Sequence, residues 1–275
     1  MDSERVAQHP PSPWLRPYHE PQGGVASVAL FVFAERPLDL RVPVSRSRHG
    51  LPAGFDFDTL DIRQHVRSDS PDWFDGFFTT EMRHVMEGDL GRAADRLAAM
   101  QAAFSVGVKL EEPADLSYLQ GCWGAAAWLC ECGAEVVNDA GAIRWHAAES
   151  VLALDPLREL DIEREVTLVF EIDATPGFGH VTHTRGLAKF GRPDVVLLGA
   201  QADDARATAG LLNGLALRAA LGAPLRANQT VRLAELAPRQ LAPYEPGSAH
   251  PEVHLNNDGL VLDISGWGLR ELAAR

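Results

Sequence analysis

Along the chain, apolar positions change their spacing part-way. The first half carries helix-like stripes, and the second half carries short apolar runs and period-two alternation. Val25 to Phe33 is a continuous apolar run bounded by Gly23-Gly24 and by Arg36-Pro37, which predicts a buried strand. Residues 34–76 show no period and read as irregular. From Asp89 to Phe104, Leu90, Ala93, Leu97, Met100 and Phe104 recur at spacings of three and four, which predicts a helix. A short strand-like run follows from Val106 to Leu110. Leu116, Leu119, Trp123, Ala127 and Cys130 form a second stripe and predict a helix over 115–132 that stops at Gly133. Val136-Val137 runs into a turn at 138–141, and residues 145–154 suggest a short helix ended by Asp155-Pro156.

Beyond residue 165 the alternation predicts strands. Residues 166–172 and 180–184 flank Thr175-Pro176-Gly177-Phe178-Gly179, so 166–184 reads as a hairpin, with a third strand over 194–198. Residues 203–221 read as a helix with Leu211, Leu212, Leu215 and Ala219 on its buried face. A strand is expected over 230–236. Asp258-Gly259 between the apolar runs 253–255 and 260–264 predicts a further hairpin. Helices and strands come in blocks rather than in alternation. The expectation is therefore an α+β fold, with a mixed or mainly antiparallel sheet packed with helices on one side, in a single globular domain over 25–275. Residues 1–24 hold Pro10, Pro11, Pro13, Pro17 and Pro21, which fix φ and remove donors. They predict an extended N-terminal tail, with Trp14 and Tyr18 available to pin it.

Composition narrows the function classes. At 275 residues and 46% hydrophobic, the chain has enough apolar material for a large core. Its formal net charge is −13, which opposes binding to nucleic acid or to an anionic membrane and suits a basic protein partner. A basic n-region followed by an apolar core is absent at the N-terminus, and the first apolar run is too short to span a bilayer. The expectation is a cytoplasmic location. Cys122, Cys130 and Cys132 lack a Cys-x₂-Cys spacing and are odd in number, so neither a zinc site nor a disulfide framework is expected. No metal and no cofactor is expected.

Two segments hold candidate chemistry. Between Gly54 and Gly76 lie Asp56, Asp58, Asp61, Asp69, Asp72 and Asp75, interleaved with Phe55, Phe57, Trp73 and Phe74. A calcium loop starting at Asp56 would need glycine and glutamate at its sixth and twelfth positions, where Asp61 and Arg67 stand. The segment therefore reads as a solvated acidic loop anchored by its rings. The other segment, His180 to Asp194, is locally basic on an acidic chain. His180, His183, Arg185, Lys189 and Arg192 are candidates for binding an anion or small ligand, with Glu171, Asp173 and Asp194 as acid partners. Glycines at 186 and 191 would let backbone amides approach an anion, but the Lys-Ser/Thr of a P-loop is replaced by Arg192-Pro193. No residue is assigned a catalytic role. Two readings stay open for the cations. Either they converge on an anion, or they disperse to separate carboxylates.

The residues His180, His183, Thr184, Gly186, Leu187, Lys189, Phe190, Gly191, Pro193 and Asp194, followed by an apolar strand, resemble a bacterial family of unknown function. The helix over 115–132 and Gly133 to Asp139 resemble the same proteins, so the likeness covers about residues 115–220. Some members of such families are accessory or immunity proteins of bacterial toxin systems. The resemblance implies no catalytic residues, and the leading expectation is a protein-binding, accessory or immunity-type domain. The alternative is a ligand-binding protein or enzyme that uses the 171–194 hairpin and basic loop.

Overall fold

A computed structural model of the chain describes residues 9–171, 175–233, 236–247, 249–267 and Leu269. The architecture is α+β with mostly antiparallel sheets. The chain divides into two compact units. Unit 1 holds the described residues up to Leu15 together with Ser27–Leu160. Unit 2 holds Arg16–Ala26 and the described residues from Asp161 on. No described helix is long and apolar enough to cross a membrane.

Unit 1 is built on a five-stranded sheet. Its elements are β1 (Val25–Ala34), β2 (Asp61–Val66), α1 (Pro71–Asp75), α2 (Thr80–Leu90), β3 (Ala102–Glu111), α3 (Ser117–Glu131), β4 (Val136–Asp139), β5 (Arg144–Ala147) and α4 (Ala148–Leu152). The strand order is β2-β3-β1-β4-β5, which leaves β2 on an edge. The rings of the acidic segment anchor it as expected. Phe74 is fully buried, edge-on to Phe33 at 6.3 Å, and Phe77 lies 5.3 Å from the same ring.

Three local expectations are corrected in unit 1. The stripe over 89–104 is not one helix. α2 ends at Gly91, whose φ of 54° and ψ of −128° no helix contains, a 3₁₀ segment covers Gly91–Ala99, and Phe104 stands in β3 opposite Gln64. Leu97 and Met100 still enter the core, so the stripe marked burial correctly while misplacing the backbone. The region 34–76 contains β2, an edge strand in which Asp61, Arg63 and His65 alternate with Ile62 and Val66 but exposed Gln64 breaks the apolar face. Trp145 and His146 belong to β5 and pair with Asn138 and Val137, so the helix begins only at Ala148. Gly133, at φ 107°, stops α3 as expected.

Unit 2 holds α5 (Ile162–Glu165), β6 (Thr167–Phe170), β7 (His180–Arg185), β8 (Asp194–Ala200), α6 (Ala205–Ala220), β9 (Thr230–Val231), β10 (Arg239–Gln240), β11 (Ala242–Pro243) and β12 (Gly259–Asp263). Its main sheet runs β11-β12-β8-β7-β6, and β9 and β10 pair separately. The 166–184 hairpin forms with Val169 opposite His183. β6 lies on the sheet edge, which leaves Phe170 42% exposed. The expected 253–264 hairpin does not form. β12 instead pairs in parallel with β8, with Gly259 opposite Asp194, and antiparallel with β11. Val253 and Leu255 pack as loop residues against Val181, Val196, Leu198 and Val261. The strand expected over 230–236 is reduced to β9, and positions 234–235 of that expectation lie outside the described residues.

The proline-rich segment is extended but held. In unit 1, the Trp14 N–H donates to Gln120 Oε1 at 2.7 Å and its indole donates to the Arg158 carbonyl at 2.8 Å. In unit 2, buried Arg16 donates to the carbonyls of Ala220 and Phe190, each at 3.1 Å.

Candidate functional site

The 165–194 segment of unit 2 assembles from strand alternation and two glycines. Gly186 (φ 117°) and Gly191 (φ 65°) bracket a 3₁₀ turn over Leu187–Phe190, and both hold the left-handed conformation that reverses the chain between β7 and β8. The cations on this turn diverge. Lys189, with no exposed surface, donates through Nζ to Glu165 Oε2 at 2.7 Å, and Glu165 is 1% exposed. Arg192 is buried and donates to the carbonyls of Gly191, Glu20 and Gly222 at 3.0, 3.1 and 3.4 Å. Arg185 is half-buried. Burial pulls its guanidinium below the usual value, against the opposing charges of Asp194 and Glu171.

Asp194 is fully buried, and its Oδ1 accepts from the Thr184 hydroxyl at 2.8 Å and the Leu187 N–H at 3.3 Å. Burial pushes its carboxyl up from 3.8 to about 6. The Thr184, Leu187 and Asn257 donors and Arg185 limit the rise. A carboxyl whose folded pKa is raised holds its proton more tightly in the fold than in the unfolded chain. Its contribution to stability is therefore complete below about pH 4 and is lost as pH rises through about 6. Urea unfolding across pH 4 to 7 should show wild type losing about 3 kcal/mol relative to Asp194→Asn. A difference that does not move with pH would show that this carboxyl is ionised throughout.

His183 is buried on β7. Its Nε2 lies 3.7 Å from Glu171 Oε1, and burial holds the imidazole below its ordinary pKa, aided by Arg185 and opposed by the Thr184 carbonyl and Glu171. A register shift separates His180 from Thr182, and His180 is half-exposed. It lines a recess of about 190 Å³ together with Phe170, Glu171, Thr182, Gln201 and Thr208. Asp173 lies outside the described residues. Of the candidates, His180 and Glu171 share the recess, whereas Lys189, Arg192 and Asp194 are buried within the fold.

The thiols of Cys130 and Cys132 are poor nucleophiles. Burial pushes Cys130 up to about 12, with Glu149 and Cys132 adding to the rise, and burial also raises Cys132. Among the described residues no group of three or more His, Cys, Asp or Glu is arranged to hold a metal ion.

A second polar constellation lies in unit 1, and no spacing in the sequence announces it. The 42–55 loop seats on α3 where the helix has glycines. A Cβ at Gly124 would meet Leu51 Cδ2 at 2.5 Å and the His49 carbonyl at 2.7 Å, and one at Gly121 would meet the Phe55 ring at 2.2 Å. This close approach delivers His49 to Glu131, the last residue of α3. His49 Nδ1 accepts from the Ser45 N–H at 3.0 Å, so the proton sits on Nε2, which donates to Glu131 Oε2 at 2.6 Å. Arg48 Nε approaches the same oxygen at 3.2 Å. These groups open onto a recess of about 230 Å³ with Trp123, Val151, Leu152 and Leu154 on its apolar side. The only hint in the sequence is the pair of glycines inside an apolar helix, which mark a close approach without naming its partner.

No protein-family model matches the sequence, and no curated protein or solved structure is significantly similar to it.

Proposed function

We propose that the protein acts by binding a basic protein partner, as an accessory or immunity-type factor, rather than by catalysis. One observation carries this reading. Lys189 and Arg192 of the basic loop are turned into the fold of unit 2, while the aspartates between Gly54 and Gly76 in unit 1 stay in solvent. Asp56, Asp58, Asp69 and Asp72 are all exposed, and none forms an ion pair with a described residue. Asp61 and Asp75 are matched by Arg63 and Arg67. These acids flank β2, an edge strand of six residues. An edge strand offers a row of backbone donors and acceptors, and an extended basic segment could add to it by strand pairing, guided by charge.

An array of extended peptides graded in lysine and arginine content tests this. Binding should rise with positive charge and fall steeply with added salt, because exposed charges are screened. The Asp58→Asn, Asp69→Asn, Asp72→Asn triple variant should lose most of the signal. Equal binding of acidic and basic peptides, or an unchanged triple variant, counts against the reading. A second reading, small-molecule binding at the hairpin, draws support from the recess beside His180, where the buried Thr208 hydroxyl has no hydrogen-bond partner among the described residues.

A further inference from the structure

We infer that the recess at the C-terminal end of α3 binds a small apolar α-amino acid, its ammonium on Glu131 and its carboxylate on Arg48. The inference is independent of any partner at β2.

The argument begins with where Glu131 stands. A carboxylate on the last residue of a fifteen-residue helix faces the negative end of the helix dipole, so it is stable only beside positive charge or donors. His49 and Arg48 supply part of this, and both act on Oε2. Oε1 accepts no hydrogen bond from any described residue, and the side chain is 31% exposed. His49 is 2% exposed on its side chain, and both of its ring nitrogens are engaged. It is therefore a positioning residue that fixes the carboxylate, and the oxygen of Glu131 left for a ligand is Oε1. The carboxylate oxygen and the helix C-terminus together select a cation with several N–H donors, which describes a primary ammonium.

The rest of the wall limits what carries that ammonium. Arg48, which lines the recess, uses Nε on Glu131 and Nη2 on the Pro43 carbonyl at 3.5 Å, and among the described residues Nη1 has no partner, so it is left to take a ligand carboxylate. Leu152 is 50% exposed at the rim, and Trp123, Val151 and Leu154 continue the apolar surface. A volume of about 230 Å³ falls below the range of drug-sized sites. Ammonium, carboxylate and a short apolar body within that volume describe a single amino acid such as leucine. The N-terminal residue of a peptide shares the ammonium and the apolar body but lacks the adjacent carboxylate.

Isothermal titration of the full chain with L-leucine should show saturable binding below about 10 mM. Leucinamide, which lacks the carboxylate, and 4-methylpentanoate, which lacks the ammonium, should each bind at least ten-fold more weakly. Glu131→Gln should weaken leucine at least ten-fold. Arg48→Gln changes an exposed side chain and tests the carboxylate contact even if Glu131→Gln fails to fold. The inference is overturned if leucine does not bind, if a folded Glu131→Gln binds it unchanged, or if leucinamide binds as well as leucine. The last result would assign the recess to a peptide N-terminus.

Discussion

Replacing Lys189 by methionine is expected to destabilise the protein by about 3–5 kcal/mol, because it leaves the Glu165 carboxylate buried with its cation gone. Both side chains are at least 99% buried, and the Nζ–Oε2 contact is 2.7 Å. For a chain of this size that loss corresponds to a fall of roughly 10 °C in melting temperature. The sign of the double variant is the sharper test. Lys189→Met with Glu165→Gln removes both charges, and the pair's desolvation cost disappears with them, so much of the stability should return. If the double variant is no better than the single, the pair's charges are not what the site depends on. If Lys189→Met melts with wild type, the amine is not buried as described. A ligand-binding role for Lys189 predicts the opposite pattern, in which stability is kept and binding is lost.

Gly24→Ala is expected to cost about 3 kcal/mol, at the upper end of what overpacking produces. A Cβ there would stand 2.1 Å from the Gly191 carbonyl oxygen and 3.0 Å from its carbon, and both are backbone atoms. Gly191 cannot move away easily. Its own φ is +65°, and a Cβ on it would lie 3.1 Å from the Ala26 nitrogen. Two glycine backbones therefore cross within unit 2 with no room for a side chain on either. Gly23 is the control. It holds φ +77° but has nothing within 4 Å of its would-be Cβ, so Gly23→Ala should cost only about 1 kcal/mol of backbone strain. Chemical denaturation of the two variants separates contact from conformation. Equal losses would mean that the crossing is looser than these distances state.

How much of this was legible in the sequence depended on the range of each signal. The strand over 25–33, the helix over 115–132, the 166–184 hairpin and the helix after residue 203 were all readable, because period and bounding glycines are local. The stripe from Leu90 to Phe104 misled because Leu97 and Met100 are buried at helical spacing while the backbone passes from 3₁₀ to strand. Asp258-Gly259 misled because β12 takes its partner from β8, more than sixty residues earlier, and a turn signal says nothing about such a pairing. The basic loop was conspicuous in composition, yet its cations are directed by Glu165, Glu20 and Gly222, all distant in sequence. The Glu131 recess was invisible for the same reason. His49 reaches Glu131 across 82 positions by means of an absent side chain at Gly124.

The sequence contains two lysines, Lys109 and Lys189, among its 25 basic residues. Lys109 is exposed on β3, the strand that pairs with β2, whereas Lys189 has no exposed surface. For amine-directed chemistry the native chain thus presents one side-chain handle. Coupling to a sensor surface through that handle holds the protein beside the edge strand, so immobilised assays of β2 call for attachment elsewhere. The other amine acts as a clock. An acylating reagent can mark Lys189 only in molecules where its surroundings have opened, and the rate at which that label accumulates reports local opening of unit 2 without any engineered probe.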